Sequence, residues 1–233
     1  MFPRLTTLLL IPVLLPQGLY VRFRTPKLPE ANGERAGTVG SGKRLKLLIL
    51  GDSAAAGVGV DCQSRALSGR LVERLKPHFT LDWSLEATTG HTTKDVLALI
   101  EAMVAFKADI VITSLGVNDV TSSTMPKEWY GLQQQLIDQL QRKFSTQQVI
   151  MTPVPPMHLF PALPQPLRWC LGLKAKALNQ QLVRLIQYNP NCRIVEPEFE
   201  LDPSLMAKDG FHPGEKLYDQ WAEILAESVL QSH

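Results

Sequence analysis

"ILGDSAAAGVGV", residues 49–60, is the stretch on which the reading of this chain turns. An aliphatic run from Leu47 to Leu50 meets Gly51-Asp52-Ser53, and small residues continue as far as Gly59. A short apolar run bounded by glycine fits a buried strand. A loop stripped of bulk allows a sharp turn or the close approach of another group. Together they suggest a phosphate loop, a cofactor turn or a nucleophile displayed at a strand end. Spacing argues against the first two. A dinucleotide fingerprint needs G-x-G-x-x-G, and Cys62 stands where the glycine after Gly57 and Gly59 belongs. Gly40-Ser41-Gly42-Lys43 imitates the tail of a P-loop, but Arg44 replaces the required Ser or Thr and the segment precedes the strand. The elbow of the α/β-hydrolases needs G-x-S-x-G, and its last position is Ala55.

Working outward, the chain alternates strand and helix signals. Strands are expected at 46–50, 79–87, 109–115, 148–153 and 192–195. Phe79, Leu81, Trp83, Leu85 and Ala87 alternate with polar residues, and Asp109–Leu115 contains an Ile-Val-Ile run. Helices are expected at 64–76, from a cap at Thr92 or Thr93 to Phe106, and at 126–144, 168–187 and 214–230. Alternating elements imply a parallel sheet covered on both faces. The expected fold is a three-layer α/β/α sandwich around a five-stranded parallel sheet in the flavodoxin-like order 2-1-3-4-5. Ligands in such folds bind at the carboxyl ends of the strands.

Four segments fall at those ends: Gly51-Asp52-Ser53, Thr88-Thr89-Gly90-His91, Gly116-Val117-Asn118-Asp119 and Asp209-Gly210-Phe211-His212-Pro213. Each pairs a glycine with polar chemistry. Alone, Ser53 reads as a helix cap, Asn118 as a turn residue and His212 as a capping or core histidine. In this order and at these places, the four segments resemble the sequence blocks of the SGNH hydrolases, also called the GDSL lipase/esterase family. The resemblance covers about residues 46–230 and departs at Ala54, where the family name has leucine. It implies Ser53 as nucleophile, Asp209 and His212 as the other triad members, and an oxyanion hole from the Ser53 and Gly90 backbone N–H groups and the Asn118 amide.

The chemistry is consistent with that assignment. A serine hydroxyl needs a base within hydrogen-bond reach, and an imidazole titrates near neutral pH. Asp209 can orient the ring and stabilise its protonated form. An oxyanion needs preset donors, and an amide side chain donates without carrying charge. Asp52 is expected to brace neighbouring loops, and Ala54, Ala55, Ala56, Gly57 and Gly59 to leave room for an acyl group and for the backbone turn. The proline-dense stretch "PVPPMHLFPALPQPL", residues 153–167, follows the fourth strand. Met157, Leu159, Phe160 and Leu163 either wall an acyl pocket or form a stiff cover over the core. The expected function is hydrolysis of small carboxylic esters through an acyl-enzyme on Ser53, without a cofactor. The alternatives are acyl transfer, deacetylation of an O-acetylated carbohydrate, and a non-catalytic binding module.

Composition narrows the partners. In a chain of 233 residues, a formal charge of +2 with basic residues scattered apart from small clusters at Arg22, Arg24 and Lys27 and at Lys43, Arg44 and Lys46 argues for no polyanionic partner, so no nucleic-acid partner is expected. Cys62, Cys170 and Cys192 are odd in number and lack metal spacing, and the histidines lack ligand partners, so neither a disulfide framework nor a metal site is expected. Residues 1–42 are read as an apolar arm or anchor with a linker, and residues 43–233 as the hydrolase domain. Leu5–Val21 is largely apolar, with Arg4 before it and Arg22 and Arg24 after it. It is as short as the shortest membrane spans, and Pro12, Pro16, Gln17 and Gly18 interrupt it. The reading favours an uncleaved membrane-associated segment over residues 5–21, ahead of an arm packed on the domain or a cleaved signal, and hence the cell envelope over the cytoplasm. Oligomeric state leaves no mark in the sequence.

Overall fold

A computed structural model describes residues 4–195 and 202–232. One sheet is formed by β1 (Ala36–Val39), β2 (Lys43–Gly51), β3 (Phe79–Ala87), β4 (Ile110–Ser114), β5 (Gln148–Thr152) and β6 (Cys192–Ile194). Its spatial order is β1-β3-β2-β4-β5-β6. Strands β2 to β6 are parallel and take the expected order, and β1 adds a sixth, antiparallel strand outside β3. The supposed irregular linker therefore supplies a sheet edge. Its four residues are too few to show a period of two. Their pairing, from Ala36↔Ser84 to Val39↔Leu81, is anchored by Leu85 N–H donating to the Arg35 carbonyl.

The helices are α1 (Arg4–Arg24), α2 (Leu67–Leu75), α3 (Thr93–Ala102), α4 (Val117–Thr121), α5 (Pro126–Phe144), α6 (Leu167–Ile186) and α7 (Glu215–Leu230). Side chains of a strand point alternately to the two faces of a sheet. Leu45, Leu47 and Ile49 of β2 accordingly enter one core with Leu71 and Leu75 of α2 and Leu225 and Val229 of α7. Leu48 and Leu50 enter the other, with Val96 and Ile100 of α3, Ile137 and Leu140 of α5, and Leu178 and Leu182 of α6. Two apolar faces on one strand explain why residues 47–50 read as a continuous aliphatic run.

Thr92 caps α3 by accepting from Asp95 N–H, while the Asp95 carboxylate accepts from Thr92 N–H. Thr93 instead faces inward. Its hydroxyl donates to Asp119 Oδ2 and accepts from Trp129 Nε1 and Gln133 Nε2, each at 3.0 Å. This buried knot joins α3, α4 and α5 and fixes α4, whose five residues are too few for a helical period to appear in sequence. Burial raises the Asp119 carboxyl above its usual range, against the pull of the bonds from Thr93. Thr93→Val keeps the shape and leaves the Trp129 and Gln133 donors unpaired. We expect it to lower unfolding free energy by about 2–3 kcal/mol in urea titrations, with an unchanged denaturant slope. A loss under about 0.5 kcal/mol would show that the knot is dispensable.

Candidate active site

The carboxyl ends of β2 and β4 lie side by side, and Asp52 N–H donates to the Ser114 carbonyl at 3.2 Å. This bond carries the chain out of the sheet and into the turns that hold Ser53. The turns close through Ala56 N–H to the Asp52 carbonyl and Val58 N–H to the Ser53 carbonyl. Gly59 has a positive φ, and a Cβ there would collide with the Pro213 carbonyl. Absence of a side chain is what lets the serine loop and the Asp209–Pro213 segment touch. The buried Tyr218 hydroxyl of α7 donates to the Val58 carbonyl at 2.7 Å from the same side. Ala55 and Ala56 are fully buried beneath the loop. Their small side chains serve the backbone turn and not an acyl group; of Ala54, Ala55, Ala56, Gly57 and Gly59, Ala54 alone lines the adjacent cavity.

Asp209 and His212 meet Ser53 at this point. His212 Nε2 lies 2.8 Å from Ser53 Oγ, and His212 Nδ1 lies 2.6 Å from Asp209 Oδ2. The other carboxylate oxygen, Oδ1, accepts from the backbone N–H groups of Phe211 and His212 at 2.9 and 3.0 Å. Burial works to raise the Asp209 carboxyl, but these bonds outweigh it and hold it below the usual range. An ionised Asp209 fixes the proton on Nδ1 and leaves Nε2 to accept from the serine.

Asn118 lies in the first turn of α4. Its Nδ2 donates to the His91 carbonyl at 2.9 Å and makes a longer contact, 3.4 Å, with Asp52 Oδ2. It therefore joins the loop after β3 to the loop after β2. Gly90 has φ near +89°, with nothing within 4 Å of the place a Cβ would take, so backbone conformation alone calls for glycine there. Among the described residues, the Ser53 and Gly90 N–H groups have no hydrogen-bond acceptor.

Sequence reasoning missed a support for this loop. Glu30 Oε1 accepts from Thr89 N–H at 2.6 Å, and Glu30 Oε2 pairs with Arg35, whose Nη1 donates to the Ala87 carbonyl. Gln63 Nε2 ties the same arm to the serine loop through the carbonyls of Ala31 and Ala56. The linker is thus part of the scaffold. Nothing in its composition signals this, because the contacts are between single polar atoms.

Beside Ser53 and His212 lies a cavity of about 210 Å³. Its wall is mostly apolar, from Val154, Pro155, Pro156, Phe160, Phe211 and Trp221, with Ser114 and Thr152 at the strand ends. Phe211 packs edge-on against Phe160, with ring centroids 5.1 Å apart. Of the four wall residues expected in the proline-dense loop, only Phe160 lines the cavity. Met157, in a short 3₁₀ turn at Met157–Leu159, and Leu163, beyond it, are buried in the core shared by α3, α5 and α6, and Leu159 is exposed. Phe211 sits between Asp209 and His212 and was legible as part of that block. Among the described residues, no group of three or more His, Cys, Asp or Glu side chains is arranged to hold a metal ion, and all three cysteines are unpaired.

Asp52 is buried, and burial pushes its carboxyl from 3.8 up to about 7 against the pull of Ala54 N–H and His212. Between those two pH values the folded chain binds protons that the unfolded chain has released, so stability falls as pH rises. Asp52→Asn removes this dependence. Across about pH 4 to 7, wild-type stability should fall relative to the variant by on the order of 4 kcal/mol, read from urea titrations at each pH. A difference between the two proteins that is constant with pH would contradict the buried-acid reading.

Comparison with known proteins bears on the fold and the family. A search of curated protein sequences finds no match. Among solved structures, the chain is similar to a lipolytic G-D-S-L family protein from Veillonella parvula, with 17% identity, 80% of this chain and 99% of that one covered, and a TM-score of 0.65. It is similar to the psychrotrophic esterase EstA from Pseudoalteromonas sp., with 19% identity, coverage of 80% and 97%, and a TM-score of 0.61. Est24, a carbohydrate acetylesterase from Sinorhizobium meliloti, matches with 18% identity, coverage of 82% and 100%, and a TM-score of 0.60. At these identities the likeness concerns the fold. The profile of the GDSL-like lipase/acylhydrolase family matches residues 49–220, most of the chain, and the chain therefore belongs to that family.

Proposed function

We propose that this protein is a serine esterase that forms an acyl-enzyme on Ser53. The observation that carries the reading is the unbroken path from Asp209 through His212 to Ser53, with contacts of 2.6 and 2.8 Å. Ser53 Oγ attacks the ester carbonyl carbon, and its proton passes to His212 Nε2. Asp209 stabilises the imidazolium. The carbonyl oxygen becomes an oxyanion and accepts from Ser53 N–H, Gly90 N–H and Asn118 Nδ2. Collapse breaks the bond to the alkoxy oxygen, which takes the His212 proton and leaves as alcohol. Water then gives a proton to His212 and attacks the acyl carbon. The bond from the acyl carbon to Ser53 Oγ then breaks, Oγ takes the proton back from His212 Nε2, and the carboxylic acid departs.

Asp52 and the His91 carbonyl have a positioning role. The His91 carbonyl occupies one Asn118 N–H, and the second, held only by the long 3.4 Å contact to Asp52 Oδ2, is the one that turns to the oxyanion as charge develops. The apolar cavity supports an acyl group of short to medium length. Its volume of about 210 Å³ is below the usual range of roughly 300–1,000 Å³ for drug-sized ligands. Deacetylation of carbohydrate is the rival reading, raised by the likeness to Est24. A wall built chiefly of Val154, Pro155, Phe160 and Phe211 offers a sugar few hydrogen-bond partners and favours the acyl chain.

The test is a series of p-nitrophenyl esters, assayed with acetylated sugars and with added alcohols as acceptors. We expect kcat/KM to rise from acetate to butyrate by up to about fourfold per methylene. Ser53→Ala should lower kcat by about a million-fold. Substantial activity left in pure Ser53→Ala overturns the nucleophile. A preference for acetylated sugars, or transfer to alcohols exceeding hydrolysis, replaces the substrate or the acceptor.

A further inference from the structure

Helix α1 has no acidic residue and carries no charge between Arg4 and Arg22. Leu10, Leu14, Gln17, Gly18 and Val21 form one half-buried stripe along it, at spacings that share a face. This stripe meets the domain. Gln17 Nε2 donates to the Gln165 carbonyl, Gln17 Oε1 accepts from Leu167 N–H, and Val21 packs on the core shared by α3, α5 and α6. The opposite face holds Leu9, Pro12, Pro16, Leu19, Tyr20 and Phe23, all of them exposed. Phe23 is 82% exposed and Leu9 77%. Arg22 and Arg24 emerge on the two flanks of that bare face, and Lys27 follows just beyond the helix; all three are exposed. No helix among the described residues is long and apolar enough to cross a membrane.

We propose that α1 lies along an anionic phospholipid surface, with Leu9, Leu19, Tyr20 and Phe23 in the acyl boundary and Arg22, Arg24 and Lys27 on the lipid phosphates. Three features select lipid over a second copy of the chain. The bare face carries no charged side chain from Leu9 to Phe23, and the charges on its flanks, Arg22 and Arg24, lie at its C-terminal end. The flanking charges are all of one sign and would repel across a symmetric pairing of these faces. Long cationic side chains beside an apolar face reach naturally to phosphate level. The docking also has a place in the enzyme's geometry. Gln17 grips the end of the same proline-dense loop whose start, Pro153–Pro156, walls the catalytic cavity. The lipid surface would thus be joined to the pocket wall through the single loop 153–167.

Full-length protein should sediment with phosphatidylglycerol-containing vesicles and bind phosphatidylcholine vesicles roughly a hundredfold more weakly, at about fivefold for each of the three cations. Leu19→Glu with Phe23→Glu should reduce vesicle binding at least tenfold, and Arg22→Glu with Arg24→Glu should abolish the preference for anionic lipid. Both pairs should keep wild-type turnover of a water-soluble p-nitrophenyl ester, which separates this proposal from that of the esterase itself. Absence of vesicle binding by the wild type overturns the proposal. So does a stable dimer, by light scattering, that dissociates on Leu19→Glu with Phe23→Glu while lipid binding is unchanged.

Discussion

One hydrogen bond, 2.8 Å from His212 Nε2 to Ser53 Oγ, spans 159 positions of sequence, and the architecture is arranged around it. Its two ends belong to loops that have no reason to meet except through the sheet. The serine loop is carried by β2, a central strand buried on both faces. The histidine segment is carried by the entry to α7, which packs on the face formed by Leu45, Leu47 and Ile49. Gly59 lets the loops touch, and Tyr218 ties the helix to the loop. The position of the bond is therefore set by the packing of two elements, not by either loop alone.

Asp52 sits at the centre of the same arrangement and is its least comfortable residue. A buried carboxyl pushed up to about 7 opposes folding whenever it is ionised. Its backbone N–H binds the end of β4, its Oδ1 accepts from Ala54 N–H, and its Oδ2 faces Asn118. A single side chain thus links the serine loop to the amide proposed to receive the oxyanion. Such a local cost fits a residue that orders a site, as buried polar networks hold a geometry that apolar packing leaves free.

Much of this was legible in the sequence because its signals are periodic or chemical. Leu47–Leu50 showed a strand covered on both faces, and the Phe79–Ala87 alternation showed one with a polar face. The four polar segments pointed to one rim, because parallel strands gather their carboxyl ends there. What escaped was short or depended on tertiary contact. Strand β1 has four residues and α4 has five, too few for either period. The Glu30–Arg35 brace rests on atoms from a stretch whose composition reads as linker. Met157 and Leu163 are apolar enough for a pocket wall, but the folded loop buries both in the core. In a loop, hydrophobicity tells that a side chain will be covered and not by what.

The proposed mechanism places a developing negative charge between Ser53 N–H, Gly90 N–H and Asn118 Nδ2, with the acyl group in the apolar cavity. The most direct measurement is a crystal structure of the protein after reaction with an alkylphosphonate. The account predicts phosphorus bonded to Ser53 Oγ and a phosphoryl oxygen about 2.7–3.1 Å from all three donors. It also predicts that the alkyl chain runs along Phe160 and Phe211. Phosphorus on another residue, or a phosphoryl oxygen turned away from Gly90 and Asn118, would contradict it.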